Sequence, residues 1–395
     1  MKKHLRIGLV LPAVPGYSET FFRNKIEGLQ KHGVEVLLFA SGAVKNFDLC
    51  PYYPQAPVHG LFPIKWLLTF YSLLRAIFRN PQSVWKLFQL ERHDGASAFS
   101  VFKKILVNSH ILQHRLDWLH FGFGTMAIGR ENLAKAMGAK MAISHRGYDL
   151  FIYPLKFSGC YDLAWGRADK IHVLSDALRD KAYTYGLSTT KEVVKITPAI
   201  NVFQFQNNEK RSISYSRPLK ILTVARLKWV KGLEYSLKAL GLFKKKGASF
   251  HYTIIGEGEE YERLIFAAHQ WGIQDQVHFA GKKSPEEVKQ AMEETDIYLQ
   301  YSISEGFCNA VLEAQAMGCL CVVSDAGGLP ENVLHGETGW VVPTRRPDLL
   351  AEQLLDILSQ SPDFLQQFRI RAISRTQTEF GLKKQISAFI EFYNR

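Results

Sequence analysis

Short apolar runs alternate with amphipathic stretches along almost the whole chain, and this alternation predicts strands followed by helices. Residues 5–11 form a continuous apolar run and read as a first strand. Ser18 to Lys31 carries a helical pattern, Gly33 stops it, and Val34 to Phe39 is the next strand. Residues 62–92 predict two aromatic, basic helices parted at Asn80-Pro81, and strand-like pieces recur at 116–121, 140–144 and 170–174. A polar stretch poor in apolar residues, Gln204 to Pro218, separates this half from a second series. That series reads strand 219–225, helix 232–245, strand 251–255, helix 259–271 and strand 277–279. Helix 285–293, strand 296–300, helix 309–317 and strand 319–323 follow, and from about Leu349 the chain is helical. No repeat of solenoid length occurs.

Strand–helix alternation is the signature of βαβ units around parallel sheets. A chain of 395 residues exceeds one ordinary core. Two consecutive doubly wound domains therefore follow, with Gln204 to Pro218 as the linker and a cleft between the domains. In such sheets ligands bind beyond the carboxyl ends of the strands. Arg226, Gly256 and Glu305 each stand just after a predicted strand.

Composition is that of an ordinary globular protein, 47% hydrophobic and 22% charged. The net charge of +12 is unevenly placed. Residues 1–205 hold 26 Lys and Arg against 14 Asp and Glu, whereas residues 206–395 hold 23 of each. A basic first half points to an anionic partner such as lipid headgroups or a phosphorylated acceptor; nucleic acid is not expected, because no recognised module accompanies the charge. Five cysteines without any Cys-x-x-Cys argue against a disulfide framework and a zinc site. The start, Met1 to Pro12, lacks the length and cleavage site of a signal peptide, so a cytoplasmic location is expected. The apolar stretch Leu61 to Phe78 is broken by Lys65 and Arg75 and falls short of the roughly twenty residues a membrane span needs.

The candidate chemistry concentrates in the second half. Glu305 and Glu313 are eight residues apart across Glu305-Gly306-Phe307-Cys308-Asn309-Ala310-Val311-Leu312-Glu313. With a helix starting near Asn309, the N–H groups from Phe307 to Ala310 make an anion site, flanked by Cys308. Upstream, Arg226 and Lys231 supply the cations that a diphosphate beside two carboxylates requires; Arg226 forks onto two oxygens and Lys231 acts as a point charge. The bland alternative is a set of surface ion pairs. Gly256-Glu257-Gly258 permits close backbone approach to a ligand, or is only a tight turn. In the first half, His120 follows an apolar run and could polarise a substrate hydroxyl, or be structural. Arg146 and Asp149, within His145-Arg146-Gly147-Tyr148-Asp149, offer a cation and a carboxylate at another strand end, or simply a capped loop. No Asp-x-Asp metal clamp and no GxxxxGK[ST] phosphate loop is present, so no metal and no cofactor are expected.

Taken in order, these residues resemble the family-4 retaining glycosyltransferases of GT-B fold, nearest to those that assemble bacterial exopolysaccharide, colanic acid or lipopolysaccharide. The family's Arg-Leu-x-x-x-Lys-Gly is met by Arg226, Leu227, Lys231 and Gly232. Its Gly-x-Gly is met by Gly256 and Gly258, and its Glu-x7-Glu by Glu305 and Glu313. The run His335 to Pro343 also fits. The resemblance implies an acceptor-binding Rossmann-like domain over 1–203 and a nucleotide-sugar-binding one over 204–376. Residues 377–395 would form a C-terminal helix returning to the first domain. It further implies that Arg226 and Lys231 hold the diphosphate, Glu305 contacts the donor sugar, Glu313 holds the ribose and His120 faces the reacting sugar. The acceptor side would be Gly16, where the family has a glycine pair, with Arg146, in the column of the usual His, and Asp149. The donor would be a UDP- or GDP-linked sugar and the acceptor a lipid-linked or other oligosaccharide. The basic, aromatic residues of 61–92 would touch an anionic membrane, or serve as core. Competing readings are an epimerase or inverting transferase on the same architecture and a non-catalytic partner protein.

Overall fold

The computed structural model describes residues 5–16, 20–41, 47–55, 62–206 and 218–394, with side chains of 62–68 excepted. The polar stretch expected as a linker lies mostly outside the described residues, as do Ser18 and Glu19 of the expected first helix, which is seen as Thr20–Lys31. The chain divides into two compact units. One runs to Ile196 and takes back the residues from Ile386 onward; the other is Thr197–Gln385.

The first unit carries a sheet of seven strands: β1 (Arg6–Leu11), β2 (Glu35–Ala40), β3 (Tyr52–Pro54), β4 (Trp118–Phe121), β5 (Lys140–His145), β6 (Lys170–Val173) and β7 (Val193–Lys195). Their order is β3-β2-β1-β4-β5-β6-β7, and every pair is parallel. The helices expected at 62–92 form as Phe62–Arg79 and Pro81–His93, the second with Pro81 in its first turn, where a missing N–H breaks no helical bond. The pattern did not reveal the helix Ala98–Leu112, capped by Ser97 accepting from the Ser100 N–H at 3.2 Å. Its buried side mixes Val101 and Ile105 with Asn108 and Ser109, so no clean apolar stripe advertises it. The core beneath β1 and β2 is closed by the end of the chain: Phe389, Phe392 and Tyr393 pack with Leu9, Ile26 and Trp118.

The second unit has six parallel strands: β8 (Leu219–Val224), β9 (Phe250–Ile255), β10 (Val277–Gly281), β11 (Ile297–Gln300), β12 (Leu320–Ser324) and β13 (Gly339–Val342). Their order is β10-β9-β8-β11-β12-β13. Both faces are covered, so alternate residues enter different cores. Leu299 and Val322 pack with Leu240 and Phe243, while Tyr298, Cys321 and Val323 pack with Val311 and Ala314. This is why the strands read as continuous apolar runs. The strand order reverses between β8 and β11. The crevice beyond the carboxyl ends of such a pair is where doubly wound sheets hold ligands.

Candidate active site

The loops that leave β8 and β11 are tied to each other. After β8 the chain passes Arg226 and makes a tight turn at Trp229–Lys231, ended by Gly232 in the left-handed region at φ 61°. A β-carbon on Gly232 would lie 2.2 Å from the Tyr301 carbonyl oxygen, so only glycine lets the turn close on the end of β11. The N–H groups of Ile303 and Ser304 then donate to the Val230 carbonyl at 2.8 and 3.2 Å. This brings the Lys231 ammonium onto the Glu305 carboxylate, with side chains only 17% and 13% exposed. Burial disfavours the ammonium, but Glu305 outweighs it and the Lys231 pKa is raised. Lys231 is therefore charged and spoken for by Glu305. The expectation that each would face a different part of a ligand meets a structure in which they first face one another.

Glu305 is fixed from several sides. Its carboxylate accepts from the Ser302 hydroxyl at 3.4 Å, and that hydroxyl accepts from the Gln300 amide at 2.9 Å. Gln300 in turn lies 3.3 Å from the Tyr298 hydroxyl in the core. The Ser324 hydroxyl donates to the Ser302 carbonyl at 2.6 Å, and Gly328 N–H to the Glu305 carbonyl at 2.9 Å. Sequence reasoning missed Gln300, Ser302 and Ser324, for which a polar Gln inside an apolar strand was the one available signal; Gly328 lies in Gly327-Gly328-Leu329-Pro330-Glu331, a run whose glycines fit a turn beside a ligand or a connecting loop.

The helix expected from Asn309 is Asn309–Ala316, with Cys308 as its extended N-cap. Cys308 is pinned twice by Asn332, whose side chain accepts from its N–H and donates to its carbonyl, both at 3.0 Å. Burial pushes the Cys308 thiol up to about 12, so it stays protonated and is no nucleophile. Phe307 is 8% exposed and its ring packs on Phe380 at 5.7 Å between centroids. The first-turn N–H groups of Asn309 and Ala310 have no intrahelical acceptor, as in any helix. Glu313, partly buried within the helix, has no hydrogen-bond partner for its carboxylate among the described residues, and burial pushes its pKa up to about 7. Arg226 is exposed and near enough for its charge to oppose protonation of Lys231. Gly256 and Gly258 lay the next loop against this one. β-Carbons there would lie 1.9 Å from the Ala225 carbonyl oxygen and 2.3 Å from that of Leu227. The Leu227 N–H donates to the Glu257 carbonyl at 2.9 Å. Their glycine character is first a packing requirement between two loops.

The first unit treats its expected site residues differently. His120 lies inside β4 and is wholly buried, where the expectation had it facing a substrate. One ring nitrogen is hydrogen-bonded with the Tyr393 hydroxyl and the other with the Ser144 hydroxyl at 2.7 Å, which continues to His172 at 2.7 Å. Burial first, then the Lys25 amine, holds His120 well below its ordinary pKa. Asp149 serves a local structural role. It is 1% exposed, accepts from the Arg146 and Thr125 N–H groups at 2.9 and 3.3 Å, and caps the short helix Gly147–Phe151. The capped-loop alternative is the one the structure adopts. Arg146 sits over Phe21, Phe22 and Phe123, its guanidinium 4.0 Å from the Phe21 ring, and donates to the Gly122 carbonyl at 3.2 Å. Gly16 is exposed at the loop after β1.

The chain is similar to known proteins in sequence and in fold. Residues 204–375 match the model of the glycosyl transferases group 1. The amylovoran biosynthesis glycosyltransferase AmsK of Erwinia amylovora is 36% identical over 93% of this chain and 94% of its own length. Among solved structures, sucrose-phosphate synthase from Thermosynechococcus elongatus superposes with a TM-score of 0.75 at 17% identity, over 99% of this chain and 98% of the other. HepE of Anabaena, solved with UDP-glucose, gives 0.72 at 15% identity, over 99% and 100%. The chain belongs to the group 1 glycosyltransferases, has the GT-B fold and is a transferase.

Proposed function

We propose that this group 1 glycosyltransferase moves a sugar, with retention of configuration, from a UDP- or GDP-linked donor to a lipid-linked or other oligosaccharide acceptor of a cell-surface polysaccharide, on the cytoplasmic side and without a metal. The observation that carries the reading is the cluster at the ends of β8 and β11. It comprises an exposed Arg226, a Lys231–Glu305 pair, a helix start at Asn309 and a partnerless Glu313. The name of the relative AmsK supports a polysaccharide product, and the UDP-glucose held by HepE supports the donor class.

On this reading Arg226 and the first-turn N–H groups meet the diphosphate, and Lys231 turns part of its charge from Glu305 toward it. Glu305, freed in proportion, accepts from donor-sugar hydroxyls, and Glu313 accepts from the ribose hydroxyls. Charge build-up on the departing diphosphate is met by Arg226 and the helix-start N–H groups, already in place, and by the share of Lys231 turned toward it, which lowers the barrier. The departing phosphate then helps take the proton of the acceptor hydroxyl on the same face of an oxocarbenium-like sugar. None of these steps requires a protein nucleophile.

The test is a thermal-shift screen against UDP-, GDP- and ADP-sugars with Lys231→Ala in parallel, followed by NMR of the anomeric configuration of the product. A shift with one nucleotide that the variant loses, and a retained configuration, support the proposal. An inverted product would refute retention. A folded protein that responds to no nucleotide sugar would refute the donor site.

A further inference from the structure

We propose that the protein docks on an anionic lipid surface through one face of the helix Phe62–Arg79. Phe70, Tyr71, Leu74, Ile77 and Phe78 are 55%, 62%, 37%, 40% and 82% exposed. At 3.6 residues per turn the five fall within one arc of about 120°. Arg75 and Arg79 continue that arc on one side and are exposed as well. The opposite side is the one that packs: Leu73 and Ala76 are buried, and the Ser72 hydroxyl meets the Ser109 hydroxyl at 2.8 Å. Single exposed apolar side chains are ordinary on protein surfaces, but five adjoining ones on one helix face mark an interaction site.

Charge selects the occupant. No Asp or Glu occurs between Asp48 and Glu91, a stretch that contributes Lys65, Arg75, Arg79 and Lys86. The following helices add exposed Arg92 and Lys103, with exposed Trp85, Phe99 and Phe102. A second copy of the chain seated on the same face would bring like charges together. Nucleic acid would leave the apolar arc uncovered. An anionic bilayer satisfies both halves of the surface, with aromatic side chains among the headgroups and arginines at the phosphates. No helix among the described residues is long and apolar enough to cross a membrane, so this one lies along the surface. The docking face takes its purpose from the lipid-linked acceptor proposed above, which it would hold near the enzyme, but its geometry is independent of the donor site.

Flotation of the full-length chain with vesicles tests it. Vesicles of phosphatidylcholine alone are compared with vesicles that also contain phosphatidylglycerol, at low and high salt. The wild-type chain should float with the anionic vesicles, and less so at high salt. Phe70→Ser with Phe78→Ser should weaken this about tenfold or more. Arg75→Gln with Arg79→Gln should weaken it about thirtyfold on anionic vesicles and hardly alter the faint binding to neutral ones. All four positions are exposed, so unchanged melting and unchanged nucleotide-sugar binding serve as controls. Wild-type protein left in solution with anionic vesicles, or variants that bind as well as wild type, would overturn the inference. So would a stripe that mediates dimerisation in sedimentation while ignoring lipid. Donor binding on the same samples separates the two readings. Donor binding kept with vesicle binding lost removes only the docking face, and the reverse removes only the donor site.

Discussion

Replacing Glu313 by glutamine should make the folded protein more stable and a poorer binder of its donor. The reasoning starts from a carboxyl group held at about 7 instead of its ordinary 4.5 by burial alone, with no hydrogen-bond partner among the described residues. A pKa raised on folding means that the native state disfavours the ionised form. The associated stability is present below about pH 4.5 and is lost as pH rises through about 7. At 1.36 kcal/mol per pKa unit, the full penalty above pH 7 is about 3 kcal/mol, falling to under about 1 kcal/mol at pH 5. Glu313→Gln removes the ionisable group at nearly constant shape, so it should recover most of that difference at pH 8 and little at pH 5. In a unit of this size the gain corresponds to roughly 6–12 °C in melting temperature. Melts of both proteins at pH 5 and pH 8 give the comparison, and titration with the nucleotide sugar found in the screen gives the affinity. A gain that is absent at pH 8, or equal at both pH values, would refute the claim that burial of this carboxylate opposes folding. A gain with undiminished donor affinity would keep the electrostatics and refute the assignment of Glu313 to the ribose.

The remaining predictions concern the supports of the site. Lys231→Ala leaves Glu305 nearly buried without its cation and should cost about 2 kcal/mol of stability as well as donor binding. Adding Glu305→Gln should restore the urea midpoint but not the affinity. Gly256→Ala forces a β-carbon to within 1.9 Å of a carbonyl oxygen at φ 141°. It should lower stability by at least about 3 kcal/mol, visible in the urea midpoint. His120→Gln should destabilise by about 2–4 kcal/mol and leave turnover per folded molecule unchanged, since the imidazole works in the core; a selective loss of turnover would return it to the chemistry. His110, His114, His120, His145 and His172 are all held below their ordinary 6.5 by burial. Their contribution is intact above that pH and is lost as pH falls below it, so melting temperature should drop on acidification from pH 7 to 5, by less in His120→Gln.

The parts of the molecule legible in its sequence are those governed by local pattern. Runs such as Leu219 to Ala225 declare strands buried on both faces, and the breaks at Asn80-Pro81 and Gly33 mark helix limits that the structure keeps within a few residues. Lys231 and Glu305 stood out because cations and carboxylates at strand ends are chemically unusual together. The helix Ala98–Leu112 escaped because Asn108 and Ser109 find partners inside the fold, which no periodicity shows.

The surroundings of His120 were hidden for the same reason, on a larger scale. An apolar run followed by His looks like a strand delivering a reactive group to solvent. Whether that imidazole is exposed or satisfied depends on Tyr393, 273 residues away, and on Ser144 in the neighbouring strand. Sequence by itself determined the two βαβ series and the residue types at their strand ends, because hydrophobic period and glycine placement act over a few residues. Tertiary structure alone decided that Lys231 is paired with Glu305, that Glu313 is partly buried with no hydrogen-bond partner among the described residues, that Asp149 is a cap and that Phe70, Tyr71, Leu74, Ile77 and Phe78 stay exposed. Each of those turns on burial and on partners far along the chain, and the free energy of a polar group is set by its surroundings in the fold rather than by its neighbours in sequence.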